Sequence, residues 1–276
     1  VMKPTSIHEL TALSSTCYER LAHLGIETTE ELVARPTTQG FSARDIAELK
    51  AALGELGQVW SPLDVPFEHA VERLPLATAF DPAPTLSVAE IWSRIEVALA
   101  KLGPKLLTRL GPPASEDRLR ELEALLGLSL PADLCASYAI HDGSTAFVGD
   151  SLLTLDEIAA EWNAPTTLHA DGTLVDDDIT SVAGPVKAVW WSRAWIPILA
   201  DGAGNLRCVD LDPDAGGDIG QIVHYWHDTG SRSVIDRDFK SVLAALMTEL
   251  ETRHSRYGEP ICYYEHEDGT PYLACP

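Results

Sequence analysis

Basic residues are scarce in this sequence: 20 lysines and arginines stand against 42 aspartates and glutamates, a formal net charge of −22. A field of that sign repels nucleic acid and anionic membrane surfaces and speeds encounter with basic partners. Long apolar runs are missing as well. Nothing approaches the roughly 18–20 residues that span a bilayer, and the opening VMKPTSIHEL lacks the apolar core of a signal peptide. The five cysteines (Cys17, Cys135, Cys208, Cys262 and Cys275) are scattered, odd in number and never in a CxxC pair. A disulfide framework and a zinc knuckle are therefore not expected, and a cytoplasmic location is. The P-loop, GxGxxG, GxSxG, HExxH and kinase signatures are absent too, which points away from an enzyme. No cofactor is expected.

What is present is ordinary globular material. With 45% hydrophobic residues over 276 positions, the chain can bury a full core and divide into more than one domain. Residues 1–57 read as a small all-α helical-hairpin module. Tyr18, Leu21, Leu24 and Ile26 surround a break at Gly25, Thr28 or Thr29 caps a short helix, and Ile46, Leu49, Leu53 and Leu56 stripe another between Ser42 and Gly57. Residues 58–85 hold five prolines and no sustained periodicity, so they read as a linker, with Trp60, Phe67 and Phe80 as apolar anchors. From residue 86 the pattern changes. Val88, Ile91, Trp92, Ile95 and Leu99 share a helix face, Ser115 caps a second helix and Pro131 opens a third. Beyond His141, short runs such as WIPILA, LRCVDLD and QIVHYW read as strands. A long helix capped near Asp236 or Asp238 follows, then a hairpin around Asp268-Gly269. Helices segregated from a run of strands predict an α+β fold.

The stretch ASEDRLRELEALLGLSLPADLCASYAIHDGS carries a specific resemblance, through Glu123, Leu125, Gly127, Leu130, Pro131, Tyr138, His141, Asp142 and Gly143. It resembles the SUKH superfamily of the Smi/Knr cell-wall-assembly-regulator type, and the resemblance continues through LLTLDEIAAEW and WIPILADGAGNLRCVDLDPDAGGDIGQIV to DFKSVLAALMTEL. It implies a curled, mostly antiparallel sheet with flanking helices over residues 86–276. It also implies function through protein contacts: bacterial members are frequently immunity proteins, and fungal relatives regulate wall synthesis. The segment Thr166 to Lys187 departs from the pattern, and its Asp176-Asp177-Asp178 run reads as a solvated loop.

The N-terminal module more weakly resembles the C-terminal domain of the bacterial RNA polymerase alpha subunit, through LAHLGIETTEELV and IAELKAAL. That family holds DNA with a basic residue in its first helix and a glycine–basic–serine turn. The corresponding positions here are Thr16 and Ser42-Ala43-Arg44-Asp45, of which only Arg44 keeps its character. Protein docking is favoured over DNA binding for this module.

The stretch from Trp195 to Gly230 concentrates acid. Asp210, Asp212 and Asp214 have the spacing of the first calcium-loop ligands, but Ala215 stands where the glycine belongs and Gln221 where a bidentate Glu belongs. Gly202, Gly204, Asp201 and Asn205 read as turn chemistry. His141-Asp142 reads as a helix end, and His224 and His227, three apart on a strand, point to opposite faces. Trp190, Trp191 and Trp195 divide between core and a partner-binding anchor. The expected partner surface is Asp142, Trp195, Asp201, Asp210, Asp212, Asp214 and Asp218. The expected function is that of an immunity protein neutralising a cognate basic toxin, such as a nuclease, by direct binding. The alternative is a regulatory scaffold joining a transcription or envelope component to another partner.

Overall fold

The computed structural model describes residues 6–10, 13–35, 41, 43–60, 71–76 and 80–276. Phe67 and Ser42 lie outside them. The chain divides into two compact units, 1–71 and 72–276.

In the first unit, α1 (Ser15–His23), α2 (Thr29–Ala34) and α3 (Ala43–Glu55) surround a core of Cys17, Leu21, Leu32, Leu49 and Leu53. Ser14 caps α1, and Thr28 with Glu31 closes a capping box on α2, satisfying amide groups that a short helix otherwise leaves bare. Glu48 accepts hydrogen bonds from the Ser14 amide (3.0 Å) and hydroxyl (2.8 Å), tying α3 to the start of α1. Asp45 is buried and pairs with Arg20 at 2.8 Å, and Arg44 pairs with Glu48 at 2.9 Å. Asp45 therefore faces the interior rather than an approaching phosphate. Trp60 is buried, its indole donating to the Arg35 carbonyl at 3.2 Å. Leu56 lies beyond the end of α3 and is exposed, unlike the rest of its stripe.

The second unit is α+β. Its helices are α4 (Val88–Leu102), α5 (Glu116–Leu126), α6 (Ala132–Tyr138), α7 (Leu155–Ala170) and α8 (Phe239–Thr252). Each long helix starts at a side-chain cap: Ser87, Ser115, Thr154 and Asp238. The α4 stripe Val88, Ile91, Trp92, Ile95 and Leu99 is buried, and the Trp92 indole donates to the Ser137 hydroxyl on α6 at 2.8 Å.

The strands are β1 (Glu72–Leu74), β2 (Ser151–Leu152), β3 (Ser181–Ala183), β4 (Trp195–Ala200), β5 (Leu206–Asp210), β6 (Gln221–Tyr225) and β7 (Ser231–Asp236). They form one sheet in the order β1-β3-β7-β6-β5-β4-β2. The centre, β7-β6-β5-β4, is an antiparallel meander; β3 and β1 add in parallel at one edge and β2 antiparallel at the other. The sheet is uncurled, where the resemblance implied a curled one: its edge strands are three and two residues long and offer little ladder to carry it round on itself. β1 forms inside the stretch that reads as linker. A separate hairpin, β8 (Cys262–Glu265) and β9 (Pro271–Ala274), closes the chain around Asp268-Gly269.

Alternation along the meander sorts its residues. Trp195, Leu206, Cys208, Val223, Tyr225, Arg232 and Val234 share one face, and Leu199, Arg207, Val209, Ile222, His224 and Ser233 share the other. The Asp176–Asp178 run is not a solvated loop. It forms a 3-10 turn in which Asp178 is buried, while Asp176 accepts from the Trp190 amide at 2.7 Å and meets His169 at 3.0 Å.

Candidate functional site

The acidic stretch does not form one surface, because β5 runs through it. Asp201 lies in the turn before β5 and Asp212, Asp214 and Asp218 in the turn after it. Five strand residues at about 3.3 Å each put the two turns at opposite ends of the sheet.

The β4–β5 turn is structural. One Asp201 carboxylate oxygen accepts from the amides of Ala203 (2.8 Å) and Asn205 (3.1 Å), and the other from the Asn205 side chain (2.7 Å). Gly202 and Gly204 take φ of 76° and 100°, which a residue with a Cβ adopts only under strain. Burial works against the Asp201 carboxylate, yet bonds from Asn205 and Ala203 hold its pKa below the usual range. Asp201→Ala is expected to lower stability by about 1 kcal/mol in urea titrations and to leave partner binding unchanged.

The β5–β6 turn has another character. Asp210 is fully buried and accepts from the Asp212 amide and from Gln221 Nε2, both at 3.0 Å. Burial pushes its carboxyl above the usual range, and those hydrogen bonds oppose the shift only in part. Asp212 pairs with Lys187 and Asp214 with Arg73 at 2.9 Å. The Ala215 amide and Arg73 hold the Asp214 carboxyl below its ordinary value. Gly217 has no room for a side chain, since a Cβ there would come 2.7 Å from Pro213 and 2.9 Å from the Pro185 carbonyl. Asp218 is exposed, and Ile219 beside it is 76% exposed. The turn is thus an anchored projection that presents acid and one apolar side chain.

Other expected contacts move elsewhere. Trp195 is fully buried with Trp190 and Trp191, and stands edge-on to Trp191 at 5.9 Å. It and Asp210 pair directly across β4 and β5 on the aromatic-packed face, so neither lies at the surface. Asp142 is half-buried and accepts from the Leu155 amide at 2.7 Å, fixing the start of α7. α6 ends at Tyr138, before His141, whose ring nitrogens lie 2.8 Å from the Gly111 carbonyl and 2.9 Å from Glu96. His141 and Asp142 thus serve separate packing contacts and form no acid–base pair. Among the described residues, no group of three His, Cys, Asp or Glu is gathered to hold a metal ion.

The sequence gives no hint that Arg207 and His224 stand directly opposite each other on β5 and β6. Arg207 pairs with Asp150 at 2.5 Å, and both are largely buried. Burial first, then the Arg207 charge, lowers the His224 pKa to about 4. An unfolded histidine takes a proton near pH 6.5, so stability present above that pH is lost as pH falls toward about 4. The raised carboxyls of Asp150, Asp210 and Asp236 act in the opposite sense on acidification. Comparing His224→Gln with the parent isolates the histidine: the variant is expected to lose less stability between pH 6.5 and 4, read by denaturant titration at each pH.

Residues 113–245 match the SMI1 / KNR4 family (SUKH-1). They form a SMI1 / KNR4-family domain. This domain includes both turns, and the match does not extend to residues 1–57. The chain is similar to the "Cell wall biosynthesis/cell cycle regulator smi1" of Schizosaccharomyces pombe, with 29% identity over 59% of this chain and 36% of that protein. It is 28% identical to the "Glucan synthesis regulatory protein" of Neurospora crassa (60% and 38% covered). With the "Cell wall assembly regulator SMI1" of Saccharomyces cerevisiae it shares 26% identity (58% and 40% covered). It therefore spans well under half the length of each of these relatives. Among the described residues, no helix is long and apolar enough to cross a membrane.

Proposed function

We propose that this chain is a non-enzymatic regulatory protein that acts by binding other proteins in the cytoplasm, its SMI1 / KNR4 domain holding a partner connected with envelope or wall synthesis. The observation that carries this reading is the family match over 113–245, with relatives named as regulators of cell wall assembly and glucan synthesis. The geometry supports it: the histidine and carboxylates that suggest catalysis are engaged in packing contacts, while the β5–β6 turn offers side chains to solvent. The helical first unit is a second docking module in this reading.

A second reading is favoured by one observation, the net charge of −22. It is neutralisation of a basic toxin by a SUKH-type immunity protein, with electrostatic attraction raising the association rate. Capture of partners from a lysate of the source organism by the tagged full chain separates the two. Envelope-synthesis or growth-control proteins retained at moderate salt support regulation, and a single basic effector held stoichiometrically supports immunity. Retention of nothing specific contradicts both.

A further inference from the structure

We propose that the cleft at the end of β5 docks a protein segment that presents one large apolar side chain flanked by lysine or arginine. This rests on the binding-protein reading and adds the place and the partner's chemistry. The cleft has a volume of about 270 Å3, and Pro131, Val209, Leu211 and Phe239 form its apolar walls. That falls below the roughly 300–1,000 Å3 of sites for drug-sized ligands, and suits a single side chain. It lies where the starts of α6 and α8 meet the end of β5, so regular elements hold its walls.

Ile219 lines the same cleft while 76% exposed. A lone exposed isoleucine needs no explanation. One poised over an apolar cleft, on a turn anchored through Arg73–Asp214 and Lys187–Asp212, is pre-organised for contact, so little ordering remains when a partner arrives. The rim fixes the partner's charge. Asp133 and Asp238 line the cleft, no cation does so among the described residues, and Asp218 adjoins Ile219. Amides at the helix starts orient both lining carboxylates: Asp133 accepts from Leu134 and Lys240, and Asp238 from Ser241. Among the described residues the lining holds no lysine or arginine to pair with them, whereas Asp212 and Asp214 are already paired. A second copy of this chain fits poorly, since it brings another 22 negative charges.

The probe is a fluorescein-labelled Lys-Lys-Gly-Phe-Lys-Lys peptide, followed by anisotropy with the full chain at low salt. Saturable binding is expected, weakened about tenfold or more by Ile219→Glu and severalfold by Asp218→Lys. Val97→Glu, on an exposed face of α4, adds the same charge as Ile219→Glu and is expected to change nothing. A Lys-Lys-Gly-Gly-Lys-Lys peptide is expected to bind about tenfold more weakly. No saturable binding, equal binding of the glycine peptide, or equal losses in Val97→Glu and Ile219→Glu overturn the proposal. If a captured partner binds Ile219→Glu undiminished, the cleft is wrong while the regulatory reading stands. If the peptide binds here but no partner is captured, the regulatory reading fails and the cleft remains.

Discussion

Trp195→Ala is expected to lower the stability of the second unit by about 4 kcal/mol, read from its own transition in urea denaturation. The side chain is fully buried and meets Trp191 edge-on at 5.9 Å, and Trp191 in turn meets Tyr225 edge-on at 5.2 Å. Truncation loses the transfer free energy of the indole. It also leaves a cavity among rigid rings that cannot collapse to fill it. The effect is one of folding: under conditions where the variant remains folded, partner association is expected to match the parent. A loss below about 1 kcal/mol, or a variant that folds normally yet fails to bind, contradicts this and returns Trp195 to the interface.

Arg232→Ala carries the second large effect, a loss of about 3 kcal/mol. The guanidinium is buried, and burial lowers its pKa to about 10. Carbonyl oxygens serve it: it donates to Trp190 at 2.7 and 3.3 Å, to Trp226 at 3.1 Å, to Thr229 at 3.0 Å and to Ser231 at 2.6 Å. The Tyr225 and Trp190 rings lie 4.6 and 5.1 Å from it. Removing it strands those carbonyls and opens the gap between the rings. Arg232→Lys is expected to recover little, because one ammonium cannot reproduce a planar fork that also stacks. An alanine variant within about 1 kcal/mol of the parent shows that the carbonyls find water instead.

Much of the second unit is legible in the sequence. The α4 stripe, the Ser115 cap, the Pro131 start and the Asp268-Gly269 hairpin follow from local pattern, and the structure places each of them. What escapes is set by distant contacts. β1 exists because Glu72–Leu74 pairs with β3 more than a hundred residues away, which no local periodicity announces. Asp176 turns inward because the Trp190 amide and His169 meet it. The acidic site is the instructive case. The turn chemistry of Asp201, Gly202, Gly204 and Asn205 is readable from residue type and spacing. Counting aspartates along the chain, however, ignores the strand that separates them, and it ranks buried Asp210 with exposed Asp218. Ile219, an unaccompanied isoleucine between Asp218 and Gly220, is the one local signal that points to the cleft.

Hydrogen exchange on the full chain, alone and saturated with the partner captured from the source organism, locates the surface that holds the partner. The predicted result is new protection over residues 211–220, together with the starts of α6 and α8 that complete the cleft, and none over the 201–205 turn. Protection confined to the 201–205 turn, or to surfaces remote from β5, contradicts binding of the partner at the anchored acidic turn.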